Sequence, residues 1–272
     1  MPQIDEEALA AAYNDALAAE KAGRLQDAEA GYRRCLALDP DDHGGAAVRL
    51  ASMGIGETPE RAPEAYVATL FDQHAEDFED ILVRQLGYGV PGLLGVRLGE
   101  LVPGLFLRAL DLGCGTGLAG EILRDRCAEI AGVDLSEKMV EAAHEKDVYD
   151  ELFIGDAVGF LEECDEEAPW DLIVATDVLP YLGGLDGLFA GAARRLTGRG
   201  VFGFSSETLP DAMLPPQGFK VGAHQRFAHG EGYVRDRLGA HGFEILSLEP
   251  ITVRLEQGEP VPGHLVIARK SS

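Results

Sequence analysis

The sequence predicts an α/β chain in which a mostly parallel sheet, covered by helices on both faces, follows a short all-α segment. Three observations predict it. From residue 107 onward short apolar runs alternate with helical ones, and the first of them runs straight into a glycine-rich turn, LDLGCGTG, at 110–117. Ahead of both, residues 5–38 carry alanine and leucine at helical spacing.

Composition narrows the function classes. The 272 residues are 46% apolar, enough for one large core and an appendage, and 47 acidic against 23 basic residues give a formal charge of -24. Such a surface repels nucleic acid and anionic membrane, so neither is expected as a partner. Cys35, Cys114, Cys127 and Cys164 show no paired spacing and read as free thiols in a reducing, cytoplasmic setting. The opening MPQIDEEALA lacks the basic and apolar regions of a secretory signal, and no run reaches 18 apolar residues.

The front elements come first. Ala8, Ala12, Ala16 and Ala19 mark one helix, and Leu25, Ala28, Tyr32 and Cys35 a second, with AGR (22–24) as the break between them and DPDD (39–42) as the stop. GRLQDAEAGYRRCLALDPDD resembles a tetratricopeptide unit, with Gly23, Ala28, Tyr32 and Pro40 at that repeat's glycine, alanine, aromatic and proline positions. The first helix departs from the pattern, with no tryptophan and with Ala19 where an aromatic is usual. DDHGGAAVRLASMG begins a second unit but stops after one helix, so the segment (1–56) is expected to dock on the main domain or on a second subunit, or to recruit a protein partner. GETPERAP (56–63) is the boundary, and from Glu64 a long helix with Tyr66, Leu70, Phe71, Phe78, Leu82 and Leu86 on its stripe leads into the main domain (64–272), placed to close over a ligand.

In that domain strands are predicted at 107–112, 129–134, 149–154, 170–176, 199–205, 243–254 and 261–269, and helices at 117–126, 136–144, 157–163, 185–196 and 230–240. Helical crossovers make the early strands parallel, whereas only QGEP separates the last two, which should form an antiparallel edge hairpin. Ligands in such sheets bind beyond the carboxyl ends of the strands.

Gly113, Gly115 and Gly117 allow unusual backbone angles and clear side chains from a ligand's path. Their spacing is GxGxG, not the GxGxxG of a dinucleotide pyrophosphate site. Asp111 at the end of the first strand can hold an ammonium group, Asp134 in IAGVDLS can accept both ribose hydroxyls or cap the next helix, and Asp156 in FIGDA can accept from an adenine amino group.

LDLGCGTG, GVDLS, GDA and WDLIVATDVLPYLG together resemble the class I methyltransferases that use S-adenosylmethionine, and the whole chain resembles the predicted methyltransferases that carry tetratricopeptide units. The resemblance implies a Rossmann-like seven-stranded sheet in the order 3-2-1-4-5-7-6 with the last strand antiparallel. It implies that Asp111, Gly113, Cys114, Gly115, Thr116 and Gly117 surround the methionine moiety of the cofactor. By the same carry-over Asp134 binds ribose, Leu135 lies beside the adenine, Asp156 and Ala157 hold the ring, and Asp177 and Val178 stand near the sulfonium and the acceptor.

Methyl transfer is an in-line displacement that needs alignment and exclusion of water, and the histidines and cysteines show no metal-ligand spacing. Acceptor-side candidates are Asp177 with Tyr181, then His224, Arg226, His229 and Tyr233 in HQRFAHGEGYVRDRL, and His74 on the earlier helix. Arg226 would meet an acceptor carboxylate or pair with surplus acid, and His229 would act on the acceptor or cap its helix. LPDAMLPPQGF (209–219) is long enough to serve as a lid. ATDVLPYL stands where base and glutamine methyltransferases carry Asn-Pro-Pro-Tyr or Asp-Pro-Pro-Tyr, which favours O- or N-methylation of a small-molecule acceptor. Three alternatives stay open: methylation of a protein recruited by the front helices, a non-catalytic scaffold, and a nicotinamide-dependent oxidoreductase.

Overall fold

The computed structural model describes residues 5–164 and 168–271, so the first four residues and the last one, which bound the expected segments, lie outside the described residues. The chain begins with the antiparallel pair α1 (Glu6–Lys21) and α2 (Leu25–Leu38), followed by the short α3 (Ala46–Ser52). Asp5 caps α1 by accepting the Ala8 N–H. Small residues set the crossing: Ala12, Ala16, Ala19 and Ala28 are buried, and a Cβ on Gly31 would stand 2.7 Å from that of Ala16. The group packs on the main domain through Val48 of α3, which shares an apolar cluster with Ala62, Val67, Tyr181, Phe219, Val221 and Phe227.

The long helix expected from Glu64 is broken. α4 (Glu64–His74) gives way to a 3-10 turn (Ala75–Asp77) and a π-helical turn (Asp80–Gln85). Tertiary bonds override the helical stripe here: Asp72 accepts from Ser136 Oγ (2.5 Å), and Glu79 from Thr116 Oγ1 (2.7 Å), which bends the segment into a strap across the glycine turn. A helix that the glycines of VPGLLGVRLGEL hid, α5 (Val90–Leu101), buries Val90, Leu94 and Leu98 against the sheet.

The sheet elements then alternate as expected: β1 (Phe106–Leu112), α6 (Leu118–Leu123), β2 (Cys127–Asp134), α7 (Glu137–Glu145), β3 (Glu151–Ile154), α8 (Ala157–Glu163), β4 (Trp170–Ala175), α9 (Asp186–Arg195) and β5 (Leu196–Glu207). Two short strands follow, β6 (Phe219–Val221) and β7 (Phe227–His229), then α10 (Glu231–Ala240), β8 (Phe243–Glu256) and β9 (Glu259–Lys270). Strands β3-β2-β1-β4-β5 are parallel neighbours; β9 runs antiparallel beside β5, and β8 pairs with β9 at the edge. The seven long strands therefore stand in the expected order 3-2-1-4-5-7-6, with β8 and β9 as the sixth and seventh.

The stretch 219–229, expected to be loop leading into a helix, instead forms the β6–β7 hairpin, which joins the end of β5 through Glu207 and Ala228. Alternation along the strands feeds two cores. Leu110, Ile173, Phe202 and Phe204 face α8, α9 and α10, while Ala109, Leu172, Val174 and Val201 face α5 and α6. Among the described residues no helix is long and apolar enough to cross a membrane.

Candidate active site

The carboxyl ends of β1 to β4 open on one pocket. Its wall includes Gly113, Cys114, Gly115, Thr116, Asp134, Leu135, Asp156, Ala157 and Asp177, and its roof is the strap, which contributes Phe71, Phe78 and Leu82. Nine of the sequence candidates thus meet in a single cavity at the place where parallel sheets bind ligands.

The glycine turn owes its shape to its composition. Gly113, Gly115 and Gly117 all adopt positive φ (65°, 53° and 93°), which side-chain-bearing residues resist. Cys114 N–H donates to the Val133 carbonyl (3.0 Å), and Gly115 N–H donates to Asp134 Oδ2 (2.9 Å), so the turn leans on the end of β2. Ser136, not Asp134, caps α7 by accepting the Met139 N–H, and it also donates its own backbone N–H to Asp134 Oδ1. Asp134 therefore keeps lone pairs for a ligand. Burial raises its pKa, opposed by the backbone N–H groups of Ser136 and Gly115. Asp156 has a second task that the sequence reading missed: it caps α8 by accepting the Gly159 N–H, and its Oδ2 lies 3.3 Å from Arg61 Nη1.

Two cofactor candidates are absent from the pocket wall. Asp111 is fully buried beneath the turn, where Tyr149 Oη donates to its Oδ2 (2.7 Å). Burial pushes its carboxyl up to about 7, with the Tyr149 hydrogen bond opposing. Gly117 likewise turns away from the pocket, its missing Cβ 3.2 Å from the Tyr149 ring. Gly120 and Gly132 also leave room for that ring, and Gly120 N–H donates to Tyr149 Oη (3.2 Å), so one tyrosine ties β1, α6 and β2 together. Tyr149→Phe keeps the ring and leaves Asp111 with no hydrogen bond among the described residues. We expect it to cost about 1–3 kcal/mol in urea unfolding and to weaken cofactor binding about 10-fold by titration.

The acceptor-side candidates divide sharply. Asp177 lies on the pocket wall, at the exit of β4. Arg226 does not; it is held between Asp177 Oδ2 (2.5 Å) and Glu207 Oε1 (2.8 Å), with its guanidinium over the Tyr181 ring. Of its two expected roles it takes the pairing with acid, which here is buried rather than on the surface. Burial disfavours its charge, but Asp177, Tyr181 and Glu207 hold its pKa well above the ordinary value.

His229 and Tyr233 are packing residues. His229 is fully buried, donates from Nε2 to the carbonyls of Leu182 (2.8 Å) and Gly183 (3.2 Å), and stacks on Tyr233, whose hydroxyl accepts the Leu185 N–H. It neither reaches the pocket nor caps α10, which starts at Glu231. His74 is exposed and bonds back to the Leu70 carbonyl, away from the pocket. His224 is also exposed, 3.7 Å from Glu256.

Burial lowers the His229 pKa from 6.5 to about 4, so the fold favours the neutral ring. Its contribution is present above pH 6.5 and is lost as pH falls toward 4, amounting to about 3 kcal/mol. Urea unfolding across that window should therefore weaken more steeply with acid, by one proton, in the wild-type chain than in His229→Gln.

Several pocket residues escaped the sequence reading. Tyr88 lines the wall from the turn before α5, Arg61 comes from the stretch taken as a boundary, and Glu64 is the first residue of the helix after it. Ala62 N–H donates to the Tyr181 carbonyl (2.8 Å), which lays that stretch against the pocket mouth. An aromatic between two glycines in QLGYGVP was the one available signal for Tyr88.

Comparison with known proteins agrees with this geometry. Residues 110–202 match the family model described as a methyltransferase domain. Two curated relatives, each 30% identical, are both named malonyl-[acyl-carrier protein] O-methyltransferase. The one from Acetivibrio thermocellus aligns over 37% of this chain and 35% of its own length, and the one from Chlorobium phaeovibrioides over 58% and 62%. The chain thus spans less than two thirds of either relative. The solved structure of the N-methyltransferase NodS from Bradyrhizobium japonicum, in complex with S-adenosylhomocysteine, superposes with a TM-score of 0.52 at 18% identity, covering 68% of this chain and 89% of that one.

Residues 110–202 are thus similar to a methyltransferase domain, and the sheet around them has the Rossmann-like fold of the superposed structure.

Proposed function

We propose that this protein transfers the methyl group of S-adenosylmethionine to an oxygen or nitrogen of a small-molecule acceptor inside the pocket. The observation that carries the reading is the meeting of Asp134, Asp156 and Asp177 from three strand ends under an aromatic roof. These residues suit the cofactor. Asp134 retains acceptor capacity for ribose hydroxyls, Asp156 for the adenine amino group, and the missing Cβ of Gly115 leaves 3.8 Å to the Phe78 ring. When bound, the cofactor supplies an electrophilic methyl on a positively charged sulfur.

The chain's own part is alignment and exclusion of water. Phe71, Phe78, Leu82, Tyr88 and Tyr181 wall the cavity with apolar surface, and the strap is fixed at both ends of the roof by Asp72 and Glu79. A roofed, largely apolar cavity favours a small acceptor over a macromolecule. The front helices (1–56) read as one and a half tetratricopeptide-like units that complete the wall behind Tyr181, with 64–272 as the catalytic domain of a cytoplasmic enzyme.

Methyl-labelled cofactor incubated with the full chain and a metabolite extract tests the reading. Label should appear in the low-molecular-weight fraction, and label confined to macromolecules would contradict a small acceptor.

A further inference from the structure

We propose that the acceptor is an uncharged, largely apolar molecule, seated against Leu82, Tyr88 and Pro91 at the end of the pocket farthest from Arg61. The inference rests on the methyltransferase reading above and adds the chemical class of the acceptor.

The pocket wall has no cation to spare for an acceptor. Among the described residues that line it, Arg61 is the one basic side chain, and it already pairs with Glu64 (2.9 Å) and Asp156 (3.3 Å). Four carboxylates line the same wall, those of Glu64, Asp134, Asp156 and Asp177. Arg226 stands outside the wall and is shared between Asp177 and Glu207 (2.8 Å). Such a wall suits a cationic cofactor and repels an anion.

The charged and apolar parts of the pocket lie at opposite ends. Asp156 follows β3, and the strand order β3-β2-β1-β4 puts two strand spacings, about 10 Å, between that strand and β1. Arg61, Asp134 and Asp156, the last two suited to ribose and adenine, thus belong to the β2–β3 side. Leu82 and Tyr88 belong to the other, in one apolar cluster with Ala109 of β1 and with Leu172 and Val174 of β4. Pro91, buried in the first turn of α5, continues their surface along the wall. From Phe78 to Ala119 no charged side chain among the described residues lines the pocket.

This end is also rigidly built. Tyr88 N–H donates to the Leu82 carbonyl (3.0 Å), and Leu255 N–H of β8 donates to the Leu86 carbonyl (2.7 Å), so the strap's end is fixed to the turn before α5 and to the edge hairpin. A carboxylate or phosphate brought there would lose its water and find no partner, which is costly. An apolar ring or chain gains in proportion to the area it covers. The wall therefore admits neutral, apolar acceptors and turns anionic ones away.

2-Naphthamide and 2-naphthoate, alike in ring and shape and different by one charge, serve as probes of this end. Each is titrated calorimetrically at neutral pH into the full chain saturated with S-adenosylhomocysteine. The amide should bind about 10-fold tighter than the carboxylate, or more. Leu82→Ala should weaken the amide by about 10-fold. Should that variant fail to fold, Leu118→Ala takes its place, at a half-buried position on the pocket wall that packs against the same cluster. Equal affinities, a tighter carboxylate, no binding of the amide, or an amide affinity that the variant leaves within about 3-fold each overturn the proposal and leave the methyltransferase reading standing. A chain that does not bind S-adenosylhomocysteine defeats that reading itself, and this proposal with it.

Discussion

Replacing Asp134 with alanine is expected to raise the dissociation constant for S-adenosylmethionine by about 100-fold or more. Two losses add up. The ribose loses a carboxylate, and hydrogen bonds to a charged group contribute about 1.5–3 kcal/mol. The glycine turn also loses its strut, because the Gly115 and Ser136 N–H groups both donate to this side chain. Asp134→Asn separates the two effects, since its amide oxygen can still accept one N–H while the charge is gone. It should fall between the wild type and alanine in a titration. An alanine variant that binds within about 3-fold of the wild type would remove Asp134 from the cofactor site.

The second large effect is on stability. Arg226→Met should destabilise the chain by about 3–5 kcal/mol, because it strands the buried Asp177 carboxylate without a close cation and removes a guanidinium packed on Tyr181. Glu207 keeps Arg254 and suffers less. The pH sense follows from the shifts. Burial raises the Asp177 pKa, and Arg226 and Arg254 oppose that rise, so losing Arg226 drives Asp177 further toward its protonated form at neutral pH. Arg226→Met combined with Asp177→Asn should recover at least half of the loss in urea unfolding, since no uncompensated charge then remains at that position. Full additivity of the two changes would contradict a coupled pair.

The sheet was legible because each parallel strand is a short apolar run closed by a glycine or an acid, and because QGEP is too short for a helical crossover. Asp134 and Asp156 were legible because they stand at the last position of β2 and just past β3, where side chains reach the pocket. Asp111 looked equivalent in sequence. It lies one residue inside β1, paired with Gly132 and Val174, and that position points it under the turn toward Tyr149. Nothing local to LDLGCGTG announces a tyrosine hydroxyl arriving from 32 residues beyond Gly117, which the register places there.

His229 and Arg226 failed as candidates for a related reason. Polar residues after a proline-glycine stretch suggest a mobile, functional loop, but β7 pairs with the end of β5 and carries His229 inward, and Arg226 just ahead of it turns onto Asp177 and Glu207. The strap was half legible. Its aromatic stripe was visible, while its break required Asp72 and Glu79 to find partners on α7 and the glycine turn, contacts that no helical periodicity encodes.

Calorimetric titration of the full chain with S-adenosylmethionine, S-adenosylhomocysteine and NADH tests the central claim most directly. The account predicts one-to-one, micromolar binding of both adenosyl compounds and none of NADH. Binding of NADH in their place, or of none of the three, would contradict it.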